Sequence, residues 1–363
     1  MKLRLALIAL LTLSSVARAD EGDGARAPAA PARAPRAAHP SRAPSAPAVP
    51  DRAEQEDAGD ATRTDTTFAV PARARLELEN FGGEITVAAW DRRAVRVQAE
   101  YSPGTSVSFE VGPATVVLRS VRLVRIPELA PRRHVRVERI SIPTQVDYRL
   151  TVPRSMNLRL SGVNTQISVA GVEGDIGAET VNGRVSVRGG RGNVKASAVT
   201  GGVAVVGVHG PVEASSVNDD VTLQDVEGPV HAESVSGDVV LERIESDEVE
   251  ASTVSGDLRY SGALRPGGTY RLESHSGDLT VVLPERPDVT ISADTYSGEF
   301  SSSFVVQSKS RLTSVRGRGK EFEFTLGDGR AELSLESFSG LIRLARAGEP
   351  AGRARVVHIP RDK

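Results

Sequence analysis

Five acidic residues offer the first chemistry in this sequence. Asp220, Asp238, Asp257, Asp278 and Glu299 each close a short polar turn, and they recur at steps of 18 to 21 residues. Carboxylates held at one position of a stacked unit would stand ~5 Å apart. Charges that close repel, which raises carboxylate pKa values or recruits a cation such as calcium. The competing reading is turn chemistry, because Asp accepts hydrogen bonds from neighbouring backbone N–H groups and sits comfortably in water. Arg184 and Gly202 occupy the same position in earlier units and break the column. The glycine-rich nonapeptide of calcium-binding β-rolls is absent. A calcium site predicts a melting temperature that rises with calcium and falls with EDTA.

A second charged group is cationic. Arg119, Arg122, Arg125, Arg132, Arg133, Arg136 and Arg139 are opposed only by Glu128 and Glu138. The stretch reads as a hairpin turning around Pro127–Pro131 with arginines on its wet face. As a functional alternative, it would form a patch for an anionic polymer or a lipid headgroup. Nucleic acid is not expected, since no aromatic residues are interleaved with the basic ones.

Catalytic patterns fail. The six histidines (His39, His134, His209, His231, His275 and His358) lack zinc-site spacing, and there is no cysteine to supply a thiolate or a disulfide. No Gly-x-Ser-x-Gly elbow occurs, and Gly319-Lys320 runs into Glu321, so there is no P-loop. His209 and His231 fall at outward positions of their repeats. The chain is expected to hold no cofactor and not to be an enzyme.

The elements that carry these residues repeat. Val163, Val181, Val199, Val217 and Val235 stand eighteen apart, and Val254 follows after nineteen. Ile167, Val185, Val203, Val221, Val239 and Leu258 make a second column, and Val169, Val187, Val205, Leu223, Leu241 and Tyr260 a third. Ile176, Val194, Val212, Val230 and Val249 form a fourth, with an alanine two residues after each. A fixed period in which no unit buries its own apolar face is the mark of a solenoid. Apolar residues two apart read as strands, and the Gly, Asn, Ser and Asp between them as corners. The chain is therefore read as all-β: a β-solenoid with coils of 18–21 residues. Each coil has two short strands, with a third near Val181 or Val199 as an option, and all these columns are expected inside. Period-two patterning and frequent glycine exclude a helical solenoid. The apolar positions do not recur every six residues, which excludes the hexapeptide left-handed β-helix.

In chain order, residues 1–19 read as a secretory signal: Lys2 and Arg4, an apolar run from Leu5 to Val16, and the small-x-small site Ala17-Arg18-Ala19. Residues 20–66 are rich in Ala, Pro and Arg and read as a disordered spacer. Residues 67–160 read as an irregular β region and 161–345 as the regular coils. A hairpin is expected to leave the solenoid at about 307–330, where Phe322, Phe324 and Leu326 alternate. Residues 346–363 read as a polar tail. Only five of the 45 basic residues are lysine, a bias that points to a GC-rich bacterial genome. The protein is expected to be exported to the periplasm, the outer surface or the medium, with no transmembrane segment once the signal is removed.

The sequence resembles the bacterial putative-adhesin family, a domain of unknown function built from Gly-rich β-strand repeats. The resemblance rests on Asn80-Phe81-Gly82-Gly83-Glu84-Ile85-Thr86-Val87, on Tyr148-Arg149-Leu150-Thr151-Val152-Pro153 and on the repeated Val-Asn/Ser-Gly-Asp/Arg-Val turns, over roughly 67–345. It implies an extracytoplasmic β-solenoid, adhesin-like or linked to envelope stress, and supplies no catalytic residues. The function expected is a non-enzymatic envelope or surface scaffold that binds a polysaccharide or protein partner. The alternatives are a polysaccharide-active β-helix lyase or hydrolase, which needs two carboxylates facing each other across a cleft, and a periplasmic envelope-stress sensor component.

Overall fold

A computed structural model describes residues 62–71, 74–124, 140–142, 144–304 and 320–348. One eighteen-residue unit shows how the sequence makes a coil. Ile176, Ala178 and Thr180 point inward from one strand, the chain turns through Asn182-Gly183-Arg184, and Val185 and Val187 point inward from the next. The following coil repeats this directly above. Val194 pairs in parallel with Ile176 below and Val212 above, and Val185 pairs likewise with Ile167 and Val203. β-branched side chains stack well on such a pleated surface. Two parallel walls result, and their inward columns form one continuous buried core.

The corner after the first wall explains its glycines. A Cβ on Gly201, whose φ is +132°, would lie 2.1 Å from the Gly183 carbonyl oxygen of the rung below. Inside the same corner, hydroxyls satisfy carbonyls that the ladder leaves over. Thr180 Oγ1 donates to Thr165 O at 2.9 Å, Ser234 Oγ to Asp219 O at 3.0 Å and Thr253 Oγ1 to Gly237 O at 2.9 Å.

One expected inner column is not inside. Val163, Val181, Val199, Val235 and Val254 are 39–46% exposed. The pleat decides this: with Ile176, Ala178 and Thr180 turned in, Val181 must turn out. Nor is there a third strand. Val181 and Val199 lie near the ends of the first-wall strands Ile176–Asn182 and Val194–Thr200.

In chain order the strands begin with β1 (Thr62–Ala69), β2 (Arg75–Trp90), β3 (Ala94–Tyr101), β4 (Thr105–Val111), β5 (Thr115–Val124), β6 (Ile140–Ile142) and β7 (Val146–Pro153). The regular coils hold β8 (Asn157–Ala170), β9 (Ile176–Asn182), β10 (Val185–Gly190), β11 (Val194–Thr200), β12 (Val203–Val208), β13 (Val212–Ser216), β14 (Val221–Gln224), β15 (Val230–Ser234) and β16 (Val239–Ser255). The last are β17 (Leu258–Ser276), β18 (Leu279–Leu283), β19 (Val289–Thr295), β20 (Glu299–Ser302), β21 (Lys320–Leu326), β22 (Ala331–Ser339) and β23 (Leu341–Arg346).

At both ends the rungs depart from chain order. β2 pairs with β8 on one side and with β5 and β7 on the other. β3 lies beyond β7 and β1 beyond β3, both antiparallel, while β4 closes the other wall against β5. At the far end β22 sits between β17 and β19, and β23 between β18 and β20. Each end is thus interleaved: β2 lies between later strands, and β22 and β23 lie between earlier ones.

Two expectations shift. β1 begins at Thr62, inside the stretch read as spacer. The described part of the expected 307–330 hairpin, β21, does not leave the solenoid but pairs antiparallel with β19 as the end strand. There Phe300 stacks on Phe322 at 4.9 Å and meets Phe324 edge-on at 5.8 Å, which covers the last rung. β5 and β6 do pair as a hairpin, with Arg122 opposite Ile142.

Candidate functional site

The acidic column is engaged by its own backbone. Asp220 Oδ1 accepts the Asp238 N–H at 2.9 Å, Asp238 Oδ1 that of Asp257 at 2.8 Å, and Asp257 Oδ1 that of Asp278 at 2.8 Å. Asp278 Oδ1 then accepts the N–H of Leu341 at 2.9 Å. Glu299 is therefore not the next member, because the interleaved β23 places Leu341 between the two. Each carboxylate caps the turn above it. Among the described residues, no group of three or more His, Asp or Glu side chains is placed to hold a metal ion.

Of the arginine cluster, Arg119 is exposed on β5, and the Arg122 backbone pairs with Thr105 and Ile142. Arg125, Arg132, Arg133, Arg136 and Arg139 lie outside the described residues. His231 sits 2.8 Å from Glu233 and 3.4 Å from Glu250, and His209 sits 3.6 Å from Glu227, all on the open surface.

The structure brings together a site that the sequence reading passed over. The outward Val column runs on at both ends: Phe81 stands beside Val163, and beyond Val254 come His275, Phe338 and Tyr296. The His275 and Phe338 rings stack at 4.7 Å and 15°, and those of Phe338 and Tyr296 at 4.8 Å and 6°. These distances match the rung spacing, so the solenoid itself sets the stack. An exposed apolar ridge about 40 Å long results, at ~4.8 Å per rung.

A second column runs parallel to it. Two residues earlier on the same strands stand Glu273, Glu336 and Asp294, followed by Glu321 on the antiparallel end strand. Between the columns lies the main chain of Thr253, Ser274, Ser337 and Thr295, whose side chains turn into the solenoid interior. The groove so formed encloses about 630 Å³. Burial, then the nearby Glu336, pushes the Glu273 carboxyl above the usual carboxylate range. Burial, then Glu321 and Glu336, does the same to Asp294. Lys320 is the cation lining the groove, and its Nζ donates to the Gly298 carbonyl at 3.3 Å. The buried Ser337 hydroxyl has no hydrogen-bond partner among the described residues. The sequence carried one sign of this place. Rings at 275, 296 and 338 stand before Ser-Gly where the other coils have valine.

Stacked walls, corner glycines and recurring turns define a two-walled parallel β-solenoid. Residues 140–323 match the family model described as Toastrack DUF4097, and the chain belongs to that family. No curated protein matches it. Three crystal structures are similar. A putative lipid binding protein from Parabacteroides distasonis ATCC 8503 is 11% identical, with 79% of this chain and 98% of that one covered and a TM-score of 0.36. A putative adhesin from Bacteroides fragilis NCTC 9343 is 11% identical, with 78% and 97% covered and a TM-score of 0.34. A putative cell adhesion protein from Clostridium sporogenes ATCC 15579 is 12% identical, with 79% and 99% covered and a TM-score of 0.19. Likenesses this distant assign neither ligand nor activity. No helix among the described residues is long and apolar enough to cross a membrane.

Proposed function

We propose that the protein is a non-enzymatic, exported, adhesin-like protein of the cell envelope, and that it holds a surface polysaccharide along the apolar ridge and its C-terminal groove. The observation that carries this reading is the ridge itself. Soluble proteins seldom leave a contiguous apolar strip in water without a use for it. These positions face solvent, yet Val, His, Phe and Tyr occupy them. The signal sequence read at residues 1–19 supports export. The carboxylates support binding over catalysis, because Glu273, Glu336 and Asp294 share one column on one wall, with none facing another across the groove.

The test is retention of the full chain on isolated envelope polysaccharide. Exchanging Phe338→Ser together with Tyr296→Ser, both exposed, is expected to weaken retention about tenfold or more, worth about 1.4 kcal/mol. Undiminished retention by a folded double variant would refute the reading.

A further inference from the structure

We propose that the outer face of the second wall is a contact between two copies of this chain, packed face to face about a two-fold axis parallel to the strands. The axis passes between β12 and β14. Nothing in this face depends on what the ridge binds.

The two walls differ at their outward positions. On the first wall these carry Lys195, Glu213, His231, Glu233 and Glu250, as suits a surface in open water. On the second wall, β12 and β14 turn Ala204, Val206, Thr222 and Gln224 outward, without a charge among them. Ser186 and Val240 extend this patch by one rung on either side, and both are half-buried. A charge-depleted centre inside a charged rim is the composition of a protein–protein interface.

The rim says which partner fits. Arg184 and Arg188 stand on the β10 rung, and neither has a carboxylate partner among the described residues. Asp238 and Glu242 hold the matching positions on the β16 rung, three rungs further along. About 14 Å separates the two sets at ~4.8 Å per rung, too far to pair within one chain. The two-fold axis reverses the order of the rungs and keeps the position along each strand. It therefore sets Arg188 of one copy against Glu242 of the other, and Arg184 against Asp238, each pair twice. Glu242 is open to this, because Arg243, 3.8 Å away, is already held by both carboxylate oxygens of Asp225. The remaining charges meet neutral groups, Asp220 facing Gly202 and Arg259 facing Ser168. In the centre Ala204 lies over Thr222 and Ser186 over Val240, small side chain on small side chain. Strands of the two copies run in one direction, the aligned packing of sheet on sheet.

Six rungs from β8 to β17, about five residues across, give roughly 500 Å² per copy. A standard interface buries about 800 Å² per partner, so this dimer is a weak one. It leaves the first wall and the ridge of each copy facing away from the contact. Two ridges on one particle gain avidity for any partner that repeats.

The experiment is sedimentation velocity on the full chain, from about 1 µM to about 1 mM, at low and high salt. A dimer that weakens as salt rises is expected. Arg188→Glu and Glu242→Arg, each alone, set like charges together twice and should weaken dimerisation about tenfold. The two together should restore it, since each copy then offers the exchanged pair. Both side chains reach solvent, and circular dichroism checks that the variants are folded. A monomer at every concentration would overturn the proposal. So would a dimer that both single variants leave unchanged, or one that the double variant fails to restore. A dimer abolished by Phe338→Ser with Tyr296→Ser in place of these would put the contact on the ridge, and overturn it as well.

Discussion

Asp257→Asn and Asp257→Ala are both expected to lose ground to the parent as salt is raised, with asparagine about 1 kcal/mol the more stable of the two throughout. Asp257 Oδ1 accepts the Asp278 N–H at 2.8 Å, and the Asp257 N–H itself donates to Asp238. A hydrogen bond to a charged acceptor contributes about 1.5 kcal/mol, and one to a neutral amide about 1 kcal/mol. Against this stand two like-charged neighbours. Unit charges ~4.8 Å apart in water repel by about 0.9 kcal/mol, and screening at ~0.15 M salt leaves roughly half of each. Asparagine thus gives up about 0.5 kcal/mol of bonding and sheds about 1 kcal/mol of repulsion, leaving it as stable as the parent or slightly more so. Alanine loses the whole bond, for a net deficit of about 0.5 kcal/mol at moderate salt. At ~1 M salt the repulsion is screened away, and the deficit grows to about 1.5 kcal/mol. Urea denaturation of the three proteins at both salt concentrations measures this directly, with matched samples in millimolar calcium. An alanine variant as stable as the parent at high salt would refute the turn-capping ladder. A calcium-specific gain in melting temperature abolished by both substitutions would show a cation site in its place.

Other perturbations test other parts of the fold. The Tyr270 hydroxyl donates to the Ser246 carbonyl at 2.5 Å and accepts the Arg265 N–H at 2.8 Å. Ser246 is buried and Arg265 is not, so Tyr270→Phe strands one carbonyl and costs about 1–2 kcal/mol; an unchanged thermal melt would count against the assignment. At Gly277, φ is +155° and a Cβ would lie 2.0 Å from the Gly256 carbonyl oxygen. Gly277→Ala should therefore cost about 3 kcal/mol or more, and a melt within a degree or two of the parent contradicts that packing. Glu273 has a raised pKa in the folded state, so the fold loses stability as pH rises through that value and regains it on acidification. Glu273→Gln should raise the melting temperature modestly at pH 7, the effect being muted by solvent, and the gain should vanish below about pH 4. A gain that persists in acid sinks the electrostatic account.

The regular coils were legible because two periods agree in them. Alternation within a strand and the eighteen-residue step between strands both place Val185 over Ile167 and under Val203, as the pairing shows. The same logic, applied to parity, would have turned Val181 outward. Its apolar side chain argued for the core and misled the reading. The groove was legible only in part. Rings at His275, Tyr296 and Phe338 broke a valine column in plain view. The ordering of Glu273, Glu336 and Asp294 depends on β22 docking between β17 and β19, and nothing local to β22 says so. For the same reason Glu299 looked like the successor of Asp278. Interleaving is a property of strand pairing over long sequence distances, to which periodicity is blind.

Interleaved ends also decide how the solenoid bears a load. A pull on the chain beyond Arg346 acts on β23, which is hydrogen-bonded on both sides to parallel neighbours. Force along those strands shears two ladders at once and cannot peel them open one bond at a time. A pull on the other side meets β1, which among the described residues is bonded to β3 alone. Its 8 residues give way first and release roughly 25 Å of slack at ~3.3 Å per residue. Tension then reaches β2, clamped between β8 on one side and β5 and β7 on the other. The molecule is built as a short yielding link in series with a stiff body, so a sudden tug is absorbed before the ridge and groove feel it.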